Sequence, residues 1–232
     1  MPGLPPPMPA MPMPPPMRPR SARGRGKRIK LLAALIVLGV GVWALVAYAP
    51  RIKDRFVARR FRVVDPNLVF ASGQINRHLI GSVLSDYKIK CIVSLETLEP
   101  DDPDVAAELQ AGRDLDIQRF DDPLLGDGTG DIHHYADAIE QIVAAEKLDQ
   151  PVLIHCSSGT ERTNGAVFYY RVLVQKGNPD DAAAEMFRNG HDPKHNPQLI
   201  PYLNAHMAEL AKLLVQAQII MTLPDPMPQI HR

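Results

Sequence analysis

Apolar residues are spaced along this chain in two periods, one of them following a long charge-free run. From Leu31 to Ala49, nineteen consecutive residues carry no charge. At 1.5 Å per residue they would make a helix of about 28 Å, the thickness of a bilayer's hydrocarbon slab. Beyond it, short apolar runs alternate with segments of helical period. Leu68–Gln74, Cys91–Leu95, Asp116–Phe120 and Pro151–Ile154 read as strands bounded by turn formers. Ile80, Val83, Leu84 and Tyr87 share one helical face, as do Ile132, Tyr135, Ile139, Ile142 and Val143 behind a capping Asp131. A further helix is expected over Asn164–Gln175, with Ala166, Val167, Tyr170 and Val174 on its inner face. Asn178-Pro179 and Asn196-Pro197 look like helix starts, the second leading to Leu199, Leu203, Met207, Leu210, Leu213 and Leu214. Strands alternating with helices predict an α/β domain, a central, mostly parallel sheet flanked by helices, preceded by a single transmembrane helix.

Composition sharpens the boundaries. Residues 1–30 hold ten of the 23 prolines, five of the nine methionines and no acidic residue. Such a segment cannot build a core, and a disordered Pro/Met-rich tail is expected, a spacer in preference to a docking motif. The span is expected over 31–49, with Trp43 and Tyr48 near its far end suiting an interfacial belt. Ala47-Tyr48-Ala49 imitates a signal-peptidase site, but the apolar run is longer than a cleavable signal requires. A basic juxtamembrane linker follows over 50–62, then the folded domain over 63–216 and a C-terminal tail over 217–232.

The formal net charge of zero conceals an asymmetry. Seven Lys/Arg lie in 18–30 and six in 51–62, opposed only by Asp54, leaving 13 basic and 25 acidic residues from Val63 onward. The basic flanks read as collars at an anionic lipid surface. The acidic remainder argues against nucleic-acid binding, because no basic stripe is left for it. Seven cations before the span against six after lean towards a cytoplasmic N-terminus and an extracytoplasmic or periplasmic domain.

The chemistry concentrates in His155-Cys156-Ser157-Ser158-Gly159-Thr160-Glu161-Arg162-Thr163. Ser157, Ser158 and Gly159 are small enough for the chain to curl with successive N–H groups pointing inward as an anion nest. Arg162 can close the ring and grip two phosphoryl oxygens. Cys156 lies at the bottom, at the end of a strand and before a helix N-terminus, where those dipoles favour the thiolate. A phosphate held there has a nucleophile beneath its phosphorus atom. The rival reading is a structural cysteine in an α/β core.

The frame His-Cys, five residues, Arg, Thr resembles the signature of the cysteine-based protein tyrosine and dual-specificity phosphatases, in particular membrane-anchored bacterial types, over about 63–215. Ser72-Gly73-Gln74 is similar to the turn that opens their compact fold. A rhodanese-type sulfurtransferase also has a cysteine loop before a helix, but with fewer loop residues and without this frame. The resemblance implies a cysteinyl-phosphate mechanism with Cys156 as nucleophile and Arg162 as clamp. Thr163 would supply the hydroxyl that helps the thiolate leave, and His155 would support the thiolate from beside it. Ser157, Ser158, Gly159, Thr160, Glu161 and Arg162 would surround the phosphate, with no metal and no cofactor. Asn164 stands where many relatives have glycine.

The same family takes the leaving group's proton from an aspartate on a loop about thirty to forty residues before the cysteine. Asp122 and Asp121 lie just past the Asp116–Phe120 strand, and Asp127 nearer the loop tip. Three glycines by Gly130 make this a loop able to close over a site. Relatives that handle inositol lipids carry lysines in the phosphate loop. Glu161 instead places a negative charge there, which disfavours polyanions. The expected partner is a phosphorylated protein, phosphotyrosine first and phosphoserine or phosphothreonine next, or a small phosphomonoester. A lipid- or polyphosphate-directed phosphatase and a catalytically weak phosphate-binding module are the alternatives. His133, His134, His191 and His195 read as solvated surface histidines in preference to metal ligands. Cys91 sits at the far end of its strand from the loop, about 13 Å from Cys156 by strand rise, too far for a disulfide.

Overall fold

A computed structural model describes residues 35–43, 46 and 53–231. The chain separates into two units, Met1–Ala49 and Pro50–Arg232. In the first, 35–43 and 46 are helical, and Leu35, Ile36, Val37, Leu38, Val40 and Trp43 are exposed. The expected tail over 1–30 and the remainder of the expected span lie outside the described residues. Among the described residues no helix is long and apolar enough to cross a membrane.

The second unit is a five-stranded sheet in the order β1-β2-β5-β3-β4, comprising β1 (Arg62–Asp65), β2 (Val69–Gly73), β3 (Cys91–Ser94), β4 (Gln118–Asp121) and β5 (Val152–Cys156). The helices are α1 (Ile80–Asp86), α2 (Pro103–Asp114), α3 (Ile132–Lys147), α4 (Glu161–Tyr169, continued by a π-helical turn Tyr170–Val174), α5 (Pro179–Arg188) and α6 (Leu199–Gln216). β2, β5, β3 and β4 are parallel, and β1 runs antiparallel along one edge. β5 lies at the centre, so its C-terminal end opens onto the crevice where α/β sheets bind ligands.

Period-two alternation explains why the strands are apolar almost throughout. Phe70, Leu153 and Ile92 align across β2, β5 and β3 and pack with Ile80 and Leu84 of α1. The neighbouring row, Ala71, Ile154 and Val93, faces the opposite way, into the core shared with α3, α4, α5 and α6. A strand covered on both faces cannot alternate polar with apolar. Cys91 pairs with Val152 at the far end of β5 from Cys156. Both thiols are free, and burial pushes the Cys91 thiol up to about 12.

The structure differs from the sequence reading at four places. α2 was not expected: it docks through Ala107 and Ala111, and its one buried residue is Glu108, so no large apolar period announces it. Asp102 caps it, accepting from the amides of Asp104 and Val105. β1 starts at Arg62, inside the supposed linker. α6 begins at Leu199 with no side-chain cap, and Asn196 instead donates to the carbonyl of Asp127 at 2.6 Å. The supposed tail after 216 is docked: Ile220 and Ile230 are buried, and Asn204 bonds both the amide and the carbonyl of Ile230.

These boundaries are testable by calorimetry. A chain beginning at Pro50 should keep the cooperative transition of the folded unit. One beginning at Val63 loses Arg62 and the segment before it, and should melt lower by about 2–4 °C for each kcal/mol lost.

Candidate active site

β5 delivers Cys156 to the crevice with the residue 1% exposed. The chain then turns through Ser157, Ser158, Gly159 and Thr160 into α4. Gly159 has φ +73°, and the Cβ of any other residue there would lie 2.5 Å from the amide nitrogen of Gly73. Gly73, at the end of β2, is equally confined, with Ser158 backbone 2.8 Å from where its Cβ would stand. The two glycines let backbone meet backbone, which folds the loop back over the cysteine. As a result the amide of Gly159 donates to Sγ of Cys156 at 3.3 Å.

A loop whose amides point inward has carbonyls pointing outward, and those need donors. Three arginines supply them. Arg59 donates to Ser157 O at 3.5 Å, Arg60 to Ser158 O at 2.9 Å and Arg62 to Gly159 O at 3.3 Å. The amide of Gln74 adds a second donor on Ser157 O at 3.1 Å. Arg62 is further fixed by Asn164, whose Oδ1 accepts from it at 2.7 Å while its amide nitrogen donates to Met186 O at 3.2 Å. The residue standing where relatives carry glycine therefore anchors a loop support. Burial brings Arg62 down to about 10, so it remains charged at neutral pH. Three of the six basic residues expected as a lipid collar are thus bound to the loop that follows β5.

Arg162 lies on the first turn of α4, its guanidinium largely buried. It donates to Leu95 O at 3.2 Å, and its Nη2 stands 4.0 Å from Glu96 Oε2. Its Nε–H is buried without an acceptor. That N–H is a charged donor still free to bond an anion. Thr163 is fully buried, and its hydroxyl donates a long bond to Ser72 O at 3.4 Å. Ser158 and Thr160 share a 2.5 Å hydroxyl contact.

No family model matches the chain, and no curated protein does. Solved structures do. TpbA from P. aeruginosa superposes with a TM-score of 0.53 at 24% identity, covering 71% of this chain and 99% of that one. The catalytic core of the S. cerevisiae PP-IP phosphatase SIW14 gives 0.55 at 18%, over 70% and 95%. A putative phosphatase from Shewanella putrefaciens gives 0.50 at 19%, over 68% and 95%. The chain has the fold of the cysteine-based phosphatases.

Within this phosphatase fold, His155 is buried and its Nε2 lies 3.1 Å from Glu108 Oε1. Glu108 also contacts Arg119 and accepts from Gln74 at 3.2 Å. Burial alone would raise the Glu108 carboxyl, but His155, Arg119 and Gln74 outweigh it and hold the group below its ordinary value. The sequence reading missed Glu108 entirely. The one available signal was an acidic residue in an alanine-rich segment opened by Asp102-Pro103.

The two adjacent aspartates diverge. Asp121 ends β4 and is paired to Arg119, Nη2 to Oδ1 at 2.7 Å. Asp122 is buried at 8% exposure. It sits near His134 and Asp137 on α3, and its Oδ2 makes no hydrogen bond. Burial first, then Asp137 and Asp121 against the opposing His134, push it up to about 6. Asp127 accepts from the amide and hydroxyl of Thr129. Around it the loop is tied down: Tyr135 donates to Gly128 O at 2.6 Å, Tyr202 to Gly130 O at 3.0 Å, and Asn196 to Asp127 O. Three glycines thus produce a fastened loop, with Gly128 packed against the Glu161 backbone.

Two further expectations change. Glu161 does not turn its charge on the loop: its Oε2 meets Nδ1 of His191 at 2.6 Å. His191 is correspondingly buried, not a solvated surface histidine.

Two outcomes follow from this geometry. Arg62→Ala removes a charge-assisted bond to the loop, worth about 1.5–3 kcal/mol when buried, so kcat/KM should fall roughly 10- to 100-fold; steady-state kinetics on an aryl phosphate reads this. Asp122 binds its proton more tightly folded than unfolded, so it lowers stability as pH rises from about 4 through about 6. Asp122→Asn should therefore gain about 1–2 kcal/mol over wild type at pH 7, after allowance for partial solvent access, and no gain at pH 4. Urea unfolding at both pH values tests it.

Proposed function

We propose that the chain hydrolyses phosphomonoesters through a cysteinyl-phosphate intermediate. One observation carries this reading. The Gly159 amide donates to the Cys156 sulfur inside a loop whose outward carbonyls are each held by an arginine, with the unpaired Nε–H of Arg162 alongside. In the first step Sγ of Cys156 attacks phosphorus and the ester oxygen departs with a proton from a loop aspartate. In the second, water attacks the thiophosphate, the aspartate takes its proton, and inorganic phosphate leaves as the thiolate reforms. Inward amides and Arg162 would hold the equatorial oxygens throughout.

Asp122 suits the acid by its protonation, being held up near 6. The contact of Gly128 with the Glu161 backbone favours Asp127 by position, so the two are separate readings for one role. Phosphotyrosine is the preferred substrate. TpbA, the P. aeruginosa neighbour, has been crystallised with phosphotyrosine, whereas SIW14 is a PP-IP phosphatase and this loop carries no lysine. The nineteen-residue apolar run would tether the domain to a membrane, and the bias of seven cations before it against six after leans slightly towards an extracytoplasmic domain.

Cys156→Ser should abolish turnover of p-nitrophenyl phosphate while phosphotyrosine binding, followed by calorimetry, survives. Substantial residual turnover would remove Cys156 from the role. Loss of the acid should slow phosphotyrosine hydrolysis about 10²–10⁴-fold and spare an activated ester, whose phenol needs no proton. Whichever of Asp122→Asn and Asp127→Asn shows that split identifies the acid.

A further inference from the structure

The phosphate loop opens onto a cleft of about 440 Å³, with Arg162 and Ser157 in its wall. Five carboxylates line it, those of Asp54, Glu96, Glu99, Asp102 and Asp104, against two guanidiniums, Arg59 and Arg162. Most of the five are engaged. Asp54 pairs with Arg59, Asp104 with Arg77 at 3.0 Å, and Asp102 caps α2. Glu96 stands beside Arg162. Its carboxyl is raised by burial, against the pull of His155 and Arg162, and its Oε1 is buried without a partner. Glu99 is exposed, and among the described residues no hydrogen bond or ion pair engages its side chain.

A bound phosphoryl group occupies Arg162 and brings about two more negative charges into this cleft. What remains around it is acidic. A substrate carrying several phosphates would meet repulsion from Glu96, Glu99 and Asp102 in the wall of the same cleft. A cation beside the phosphate would meet a vacant acceptor in Glu99. We propose that the cleft selects a phosphotyrosine whose neighbouring residues are lysine or arginine, with the Glu99 side of the rim as the subsite for the cationic side chain. This rests on the phosphatase reading and names its substrate class.

The test uses the full-length chain in non-ionic detergent. It compares kcat/KM for phosphotyrosine peptides flanked by lysines or by glutamates, each divided by the same preparation's rate on p-nitrophenyl phosphate. An exposed ion pair contributes up to about 1 kcal/mol, or about fivefold, so two flanking lysines should give roughly a tenfold or greater preference over glutamates, falling as salt is raised. Glu99→Lys should erase or invert it. Equal rates for the two peptides, a preference for the acidic one, or a lysine preference untouched by Glu99→Lys would overturn the proposal. So would faster hydrolysis of an inositol pyrophosphate or a phosphoinositide vesicle than of any peptide. Failure to hydrolyse even p-nitrophenyl phosphate would overturn the phosphatase reading, and this inference with it.

Discussion

The constraint that organises this domain is the polarity of four peptide units. To aim its amides at an anion, the chain from Ser157 to Thr160 turns its carbonyls the other way, and a carbonyl turned away from the site still requires a donor. Backbone amides reach only two of these carbonyls, Gln74 that of Ser157 and Asn164 that of Thr160. The fold answers with guanidinium groups from a segment about a hundred residues earlier in sequence. Arg59, Arg60 and Arg62 reach Ser157, Ser158 and Gly159 one after another, the last from the first residue of edge strand β1. Gly73 and Gly159 then become obligatory, since their contact is the line along which β2 and the loop are pressed together.

The segment 53–62 shows why part of the site escaped the sequence. Composition reveals that it is basic but not what its charges meet, and the strong apolar run just upstream made a lipid surface the natural partner. Pairing across about a hundred residues leaves no local trace. The loop and β5 were legible for the opposite reason: Cys156, the small loop residues and Arg162 lie within seven consecutive positions, so the pattern is written contiguously. Most of the sheet was legible as well, because strands covered on both faces are apolar runs. α2 was not, as alanines and one buried glutamate give no period to count. Asn196 was misread for a related reason. Asn-Pro signals a helix start by local chemistry, yet here the side chain serves a carbonyl of the loop at Asp127 and the helix begins uncapped.

Buried ionisable groups cluster on the same end of the sheet. Glu108, Arg119 and Asp121 form a chain that leads from a partly exposed ion pair to His155, next to Cys156. Charges in such a place are costly to desolvate unless each meets an opposite partner, and removing one member leaves the next exposed to the full penalty. The network is therefore better understood as fixing the geometry around His155 than as a source of stability. It also separates the two neighbouring aspartates. Arg119 pairs with Asp121, and Asp122, one residue on, is buried beside Asp137 and retains its proton further up the pH scale.

That separation bears on how the loop after β4 works. A proton donor near neutral pH needs a carboxyl shielded from water and from cations; a donor over a phosphate also needs to be held in place. Asp122 has the first property, since burial raises it, and the loop as a whole has the second, through Tyr135, Tyr202 and Asn196. Gly165 allows this fastening: a Cβ there would stand 2.3 Å from the Tyr135 hydroxyl, so only glycine on α4 leaves room for the tyrosine that holds Gly128. The helix that carries Arg162 and the loop that carries the candidate acids are thus joined by one side chain. A displacement of either would be felt by the other, which couples the position of Arg162 to that of the loop around Gly128.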